Sequence, residues 1–225
     1  MSKSVATSVR TMARIAGVLY LVTIGSAFAE YVRGSLVVRG DPLATANNIL
    51  ASEPLYRLGF TADLLSAASY VGVAVLLYEL LVPVSRTVSL LAAAFALTGS
   101  AIMAGNLLNL MTPVLLLRDT ASLAASGPEA LRAAAQTSFG LYSLGYAVAT
   151  VFFGIYCVLL GYLIWRSDFL PRWLGLLLAT GGIGYLLNSF ANFLEPSLAA
   201  ALSRSRLCQL ESPRLRLSSG SSLWA

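Results

Sequence analysis

Five apolar runs dominate the chain, at about residues 12–32, 58–82, 88–112, 139–165 and 173–194. Each has the length of a membrane-spanning helix, which needs about 20 predominantly apolar residues. The pattern therefore predicts an all-α, polytopic transmembrane helix bundle with about five spans. Punctuation between the runs agrees with helix boundaries. Asp41-Pro42 reads as an N-cap followed by proline at the first helical position, opening a short helix through Leu50. Ser52-Glu53-Pro54 restarts a helix before the second span, and Pro83 ends that span. Residues 33–56 otherwise read as a polar connection, and residues 118–138 as a loop. Ser126-Gly-Pro-Glu129 inside that loop has the form of a capping box opening a short helix. Pro113 falls just beyond the third span.

Small residues mark where spans should meet. Ala92, Ala96, Ser100 and Ala104 recur every four positions in the third span. Such a face lets neighbouring backbones approach closely, which drives helix association where lipid supplies no hydrophobic force. Gly181-Gly182-x-Gly184 is a place where the fifth span could weaken. The chain organises as one domain over residues 1–202, followed at 203–225 by a Ser- and Arg-rich tail that reads as disordered.

Composition narrows the class further. The chain is 57% hydrophobic and 11% charged, against roughly 25% charged residues in soluble domains. The lipid bilayer is the partner this implies. Basic residues sit at the ends of apolar runs rather than in a stripe, which argues for interfacial anchoring and against nucleic-acid binding. There is no histidine, and Cys157 and Cys208 form no metal or redox motif. No cofactor is expected. Protein partners are not legible.

Charge also bears on orientation. Five crossings put Lys3, Arg10, Arg14, Arg86, Arg166 and Arg172 on one side, and Arg33, Arg39, Arg57, Arg118 and Arg132 on the other. The balance is nearly even, so the purely basic flank of the first helix decides for a cytoplasmic N-terminus in the inner (plasma) membrane. That first segment also has the outline of a signal peptide, with Ala27-Phe28-Ala29 as a cleavage sequence before Glu30. The retained-helix reading is preferred because further spans follow.

Several stretches resemble a known family. They are Glu30-Tyr-Val-Arg33-Gly34-Ser35, Gly40-Asp41, Arg57-Leu-Gly-Phe60-Thr-Ala-Asp63-Leu64 and Asn106-Leu-Leu-Asn109-Leu110. Further along they are Phe152 to Ile164, Arg166-Ser167, Leu170-Pro171-Arg172 and Gly184-Tyr185-Leu-Leu-Asn188-Ser189-Phe190-Ala-Asn192-Phe193. Over about residues 10–200 the chain is similar to the bacterial integral-membrane proteins of domain-of-unknown-function family 4386. The resemblance implies a multi-span inner-membrane protein and supplies no catalytic or binding residues. The resemblance implies a further apolar helix, which members of that family usually have where this chain turns polar. A frameshift or truncation near residue 202 is the expectation that follows.

Alternating helix directions bring the chemistry to one end of the bundle. Glu30 ends the first span, Asp63 lies near the start of the second, and Asn106 and Asn109 close the third. Tyr142 and Tyr146 open the fourth, and Asn188 and Asn192 close the fifth. Each asparagine pair projects from one side of its helix. An amide or carboxylate facing lipid without a partner costs several kcal/mol, so Asp63 is expected to pair with Asn106 or Asn109. Two readings compete: structural glue between spans, and a polar vestibule for a small solute or ion. Enzymatic readings fare worse. Histidine-based motifs are excluded outright, Asp63 lacks a second deep carboxylate except Glu30, and no Gly-rich phosphate loop is present. The expected role is a non-catalytic membrane or envelope function, with transport past Asp63 as the alternative.

A reporter fused after residue 225 tests the topology: five crossings place it on the side opposite the N-terminus, and a sixth crossing returns it.

Overall fold

The computed structural model describes residues 3–38, 41–118 and 127–194. Residues through Ser189 form one compact unit, and Phe190–Leu194 are the described part of a second. The 203–225 tail, Cys208 and Ser126 lie outside the described residues. The elements are α1 (Lys3–Thr23), α2 (Gly25–Leu36), α3 (Pro42–Ala51), α4 (Glu53–Leu81), α5 (Arg86–Asn106), α6 (Leu108–Arg118), α7 (Pro128–Arg166) and α8 (Arg172–Leu194). No strand occurs among the described residues. Five helical segments are long and apolar enough to cross a membrane, namely 14–36, 53–81, 86–116, 133–166 and 172–194. The protein is a multi-pass membrane protein of the all-α kind.

Helical hydrogen bonding in the first span is interrupted between α1 and α2 at Ile24, which keeps helical dihedrals. Thr23 Oγ1 donates to the Tyr20 carbonyl at 2.6 Å and Ser26 Oγ to the Thr23 carbonyl at 2.8 Å. Side chains that bond back to the preceding turn compete with the helical ladder. Gly25 stands at the junction opposite Ser66 of α4, whose hydroxyl also reaches the Val22 carbonyl at 3.3 Å. Beyond the junction the helix continues to Leu36. The polar connection therefore begins later than residue 33, and Arg33 belongs to a helix rather than to a loop.

α3 begins as the sequence predicts: Asp41 caps it by accepting from the Ala44 N–H at 2.9 Å, and Pro42 follows. The turn after α4 is closed by Ser85, which caps α5, and by Ser89, whose hydroxyl donates to the Tyr78 carbonyl at 3.0 Å. α5 turns its small-residue face, with Ala92, Ala96, Gly99 and Ser100 buried, towards its neighbours and packs along α7. Pro113 lies inside a helix, α6, rather than beyond the third span.

The expected loop over 118–138 is largely replaced. α7 runs unbroken from Pro128 to Arg166, with Gly127 at φ 77° as its N-cap. Its 39 residues measure about 58 Å at 1.5 Å per residue, well beyond an apolar slab of about 30 Å. Its first residues precede the apolar stretch at 133–166, and α3 and α6 both pack against this helix.

α8 packs against α7 through glycines. A Cβ on Gly161 would stand 2.5 Å from the Gly175 carbonyl oxygen, and one on Gly175 would stand 2.6 Å from that of Gly161. Two turns away the approach repeats: a Cβ on Gly182 would stand 2.6 Å from the Gly154 carbonyl oxygen. Nearby, Thr150 and Ser189 hydroxyls meet at 2.8 Å. Gly182 is therefore a packing residue, and α8 stays helical through it. Gly181 and Gly184, by contrast, face open space.

Two apolar clusters organise the first unit. The larger joins Ala74 and Leu81 of α4, Ala92 and Ala96 of α5, and Tyr156, Leu160 and Leu163 of α7. The smaller joins Val32, Leu36, Ile49, Tyr56 and Val114 at the polar end.

Gly161→Val and Gly182→Val should each force α7 and α8 apart and lower stability by about 1–3 kcal/mol. Gly181→Ala should be neutral or stabilising, by up to about 1 kcal/mol. Melting of the detergent-purified variants reads the difference.

Candidate functional site

Arg33 organises the polar end of the bundle. It projects from α2 with a side chain only 13% exposed, and its Nη1 donates to Asp63 of α4, itself 7% exposed. Its Nη2 donates to Glu30 at 2.7 Å, one turn back on the same helix. The guanidinium also stands over the Tyr142 ring of α7, 5.5 Å from the centroid. One cation thus ties together three chain segments. The local logic is simple: Glu30 and Arg33 are three apart on one helix, so they lie on one face. The buried carboxylate of Asp63 then neutralises the guanidinium that burial would otherwise penalise.

Asp63 is therefore not held by Asn106 or Asn109, as expected from the sequence. A carboxylate accepts only, and a guanidinium matches it in charge as well as in hydrogen bonding. The asparagines make a separate bridge. Asn106 Nδ2 donates to the Tyr142 carbonyl at 2.8 Å, and Asn109 Nδ2 donates to Asn106 Oδ1 at 3.0 Å. Gly145, one turn along α7, permits this, because a Cβ there would collide with the Asn106 amide. The two networks meet at Tyr142, whose ring takes Arg33 and whose carbonyl takes Asn106.

Of the other sequence candidates, Tyr146 is one turn beyond Tyr142, the rings 6.4 Å apart. Asn188 lies on α8 beside Ser189, which bonds to Thr150 of α7 rather than to the Arg33 cluster. Asn192 falls in the second unit.

Five participants are not among the residues the sequence pattern singles out. Arg33 is one, although its spacing of three from Glu30 on a helix is a signal. Glu53, 7% exposed, receives Arg57 Nε at 2.6 Å and Arg118 Nη2 at 2.7 Å, which fastens the start of α4 to the end of α6. The Tyr56 hydroxyl donates to the Leu110 carbonyl at 2.6 Å, a second tie between the same helices. The Glu53–Arg57 pair was legible as an i,i+4 pair. Arg118 and the Tyr56 contact depend on how α6 packs beside α4 and have no local signal.

Between these ties lies a recess lined by Ala29, Val32, Arg33, Tyr56, Gly59 and Phe60, with Leu110 at its edge; it has no room for a water molecule. The arrangement is a charge-neutralised network at one end of the bundle, buried at Arg33, Asp63 and Glu53 and exposed at Glu30, Arg57 and Arg118. Among the described residues, no group of three or more Cys, Asp or Glu side chains is placed to hold a metal ion.

Comparison with known proteins supplies a family and no activity. An uncharacterized protein of Archaeoglobus fulgidus is 31% identical over 123 residues, covering 55% of this chain. The match spans 60% of that protein's own length. No solved structure matches the chain. The family model described as Domain of unknown function (DUF4386) matches residues 15–205, and the chain belongs to that family.

Proposed function

We propose that the protein acts non-catalytically, in a membrane or envelope role, and that the Arg33 cluster is a structural tie between its spans. The observation that carries this reading is the commitment of Asp63 to Arg33. A carboxylate held by a buried guanidinium is not poised as a general acid, base or nucleophile. The narrowness of the recess beside the pair supports the same reading. Absence of histidine from the sequence removes the commonest catalytic base. The basic flank Lys3, Arg10 and Arg14 supports an inner (plasma) membrane location with the N-terminus in the cytoplasm.

A second reading is passage of a small solute or ion past Asp63. One observation favours it: the Glu30 side chain, 74% exposed, connects the buried pair to the surroundings. An ionisable residue within a span is a functional candidate by default.

Stability measurements separate the readings. Asp63→Asn should destabilise the detergent-purified protein by about 3–5 kcal/mol, because it leaves Arg33 buried without its counter-charge. The double variant Arg33→Met/Asp63→Leu should recover most of that loss. A screen of ions and metabolites should give no rise in melting temperature. A rise with one solute that disappears in Asp63→Asn would favour transport over the structural reading.

A further inference from the structure

We propose that the end of the bundle where α7 turns into α8 is a docking surface for the phosphate headgroups of anionic lipids, read by Arg166 and Arg172. The inference concerns the end away from Arg33 and stands whichever reading above applies. Acidic residues divide unequally between the two ends. Through residue 194, the end that bears the N-terminus carries Lys3, Arg10, Arg14, Arg86, Arg166 and Arg172 against only Glu79 and Asp168. The opposite end sets five arginines against Glu30, Asp41, Glu53, Asp63, Asp119 and Glu129. Pairing divides the same way. Arg33, Arg57 and Arg118 each hold a carboxylate, whereas among the described residues Arg14, Arg86, Arg166 and Arg172 pair with none. The positive charge of this end is not answered from within the described chain.

Packing brings the cations together. Val84 after α4, Leu163 and Ile164 of α7, Leu170 of the turn and Leu174 of α8 share the larger apolar cluster. Arg86, Arg166 and Arg172 each stand two residues from one of these anchors, and all three are exposed. α8 meets α7 so closely that a Cβ on Gly175 would stand 2.9 Å from the Trp165 nitrogen. Arg166 follows Trp165, and Arg172 precedes Gly175 by about 4.5 Å of helix axis. The two helices run antiparallel, so both arginines lie beyond this contact at the same end. Arg166 is already steadied: its guanidinium stands 5.8 Å from the centroid of the Tyr162 ring, and Nη1 donates to the Tyr162 hydroxyl at 3.1 Å. Most of its N–H donors stay available, and their fork matches phosphate oxygens. Trp165 and Trp173, 49% and 67% exposed, flank the pair, as amphipathic rings do at headgroup depth. These rings favour a lipid over a dissolved anion. A free phosphate leaves them uncovered, whereas a lipid lays its acyl chains against them.

Lipid competition tests this. Native mass spectrometry of the full chain in neutral detergent, with phosphatidylglycerol and phosphatidylcholine in equal amounts, counts the lipid bound. Phosphatidylglycerol should be preferred about tenfold, because each basic residue beside an anionic headgroup adds a modest attraction. In Arg166→Gln/Arg172→Gln the preference should fall to near parity. Both side chains are exposed, so this variant reads binding rather than folding. Arg57→Gln, at the opposite end, should keep the preference. Equal binding of the two lipids by the unsubstituted chain, or a preference that survives Arg166→Gln/Arg172→Gln, overturns the proposal. Loss of the preference in Arg57→Gln also overturns it, by making net charge the cause. Melting distinguishes a lipid from a free anion. Phosphatidylglycerol should raise the melting temperature more than phosphatidylcholine does, and inorganic phosphate at the same concentration should leave it unchanged. An equal rise with inorganic phosphate overturns lipid as the occupant.

Discussion

A charge that cannot reach water must find its opposite, and the polar end of this bundle is built around that constraint. Arg33 lies in a segment that the apolar pattern marks as membrane-spanning, and Asp63 lies in the next one. Neither is tolerable alone in a low-dielectric surrounding. Together they fix the rotation of α2 and α4 about their axes, because a carboxylate and a guanidinium must face each other to pair. Once that is set, Tyr142 receives the guanidinium on its ring and Asn106 on its carbonyl, so α7 and α5 are drawn into the same register.

The other end of the chain solves its packing differently. Between α7 and α8 there is no charge to pair, and the close approach rests on what is missing from the side chains. Gly154 and Gly161 face Gly182 and Gly175 so closely that a methyl group would strike a carbonyl oxygen. Contact of this kind gains dispersion energy between residues 150–165 of α7 and 175–189 of α8 and needs no hydrophobic force from water. The bundle thus uses ionic matching at its polar end and backbone-to-backbone contact along α7 and α8. The two are independent in sequence and far apart in chemistry.

Much of this was visible beforehand, for reasons that can be stated. Helix existence follows from apolar runs of the right length, and the Asp41-Pro42 start follows from local capping chemistry. Both depend on neighbours a few residues away. The small-residue face of α5 was legible because its period is that of the helix. The partner of Asp63 was not, because choosing between Arg33 and an asparagine requires knowing that α2 continues past Tyr31. A charged residue normally ends an apolar run. Here it does not, because the compensating charge comes from 30 residues further along. The loop after residue 118 is shorter than hydropathy alone indicates, because α7 begins at Pro128, ahead of the apolar stretch at 133–166.

The distribution of burial across the polar end then constrains what kind of device it can be. Glu53 and Asp63 are both buried acids, each matched by arginine, but the matches differ. Glu53 is held by Arg57 and Arg118, whose side chains are 49% and 63% exposed, so water already shares that charge. Asp63 is held by an arginine that is itself buried. Exposed pairs contribute little and can break and reform at small cost, whereas a buried pair resists disruption and destabilises the fold when one partner is lost. Any motion at this end therefore divides along that line. The Glu53 arginines, at the surface, can rearrange while the Arg33–Asp63 contact persists. Opening at the rim need not separate the spans, and the hidden pair can hold the bundle together through it.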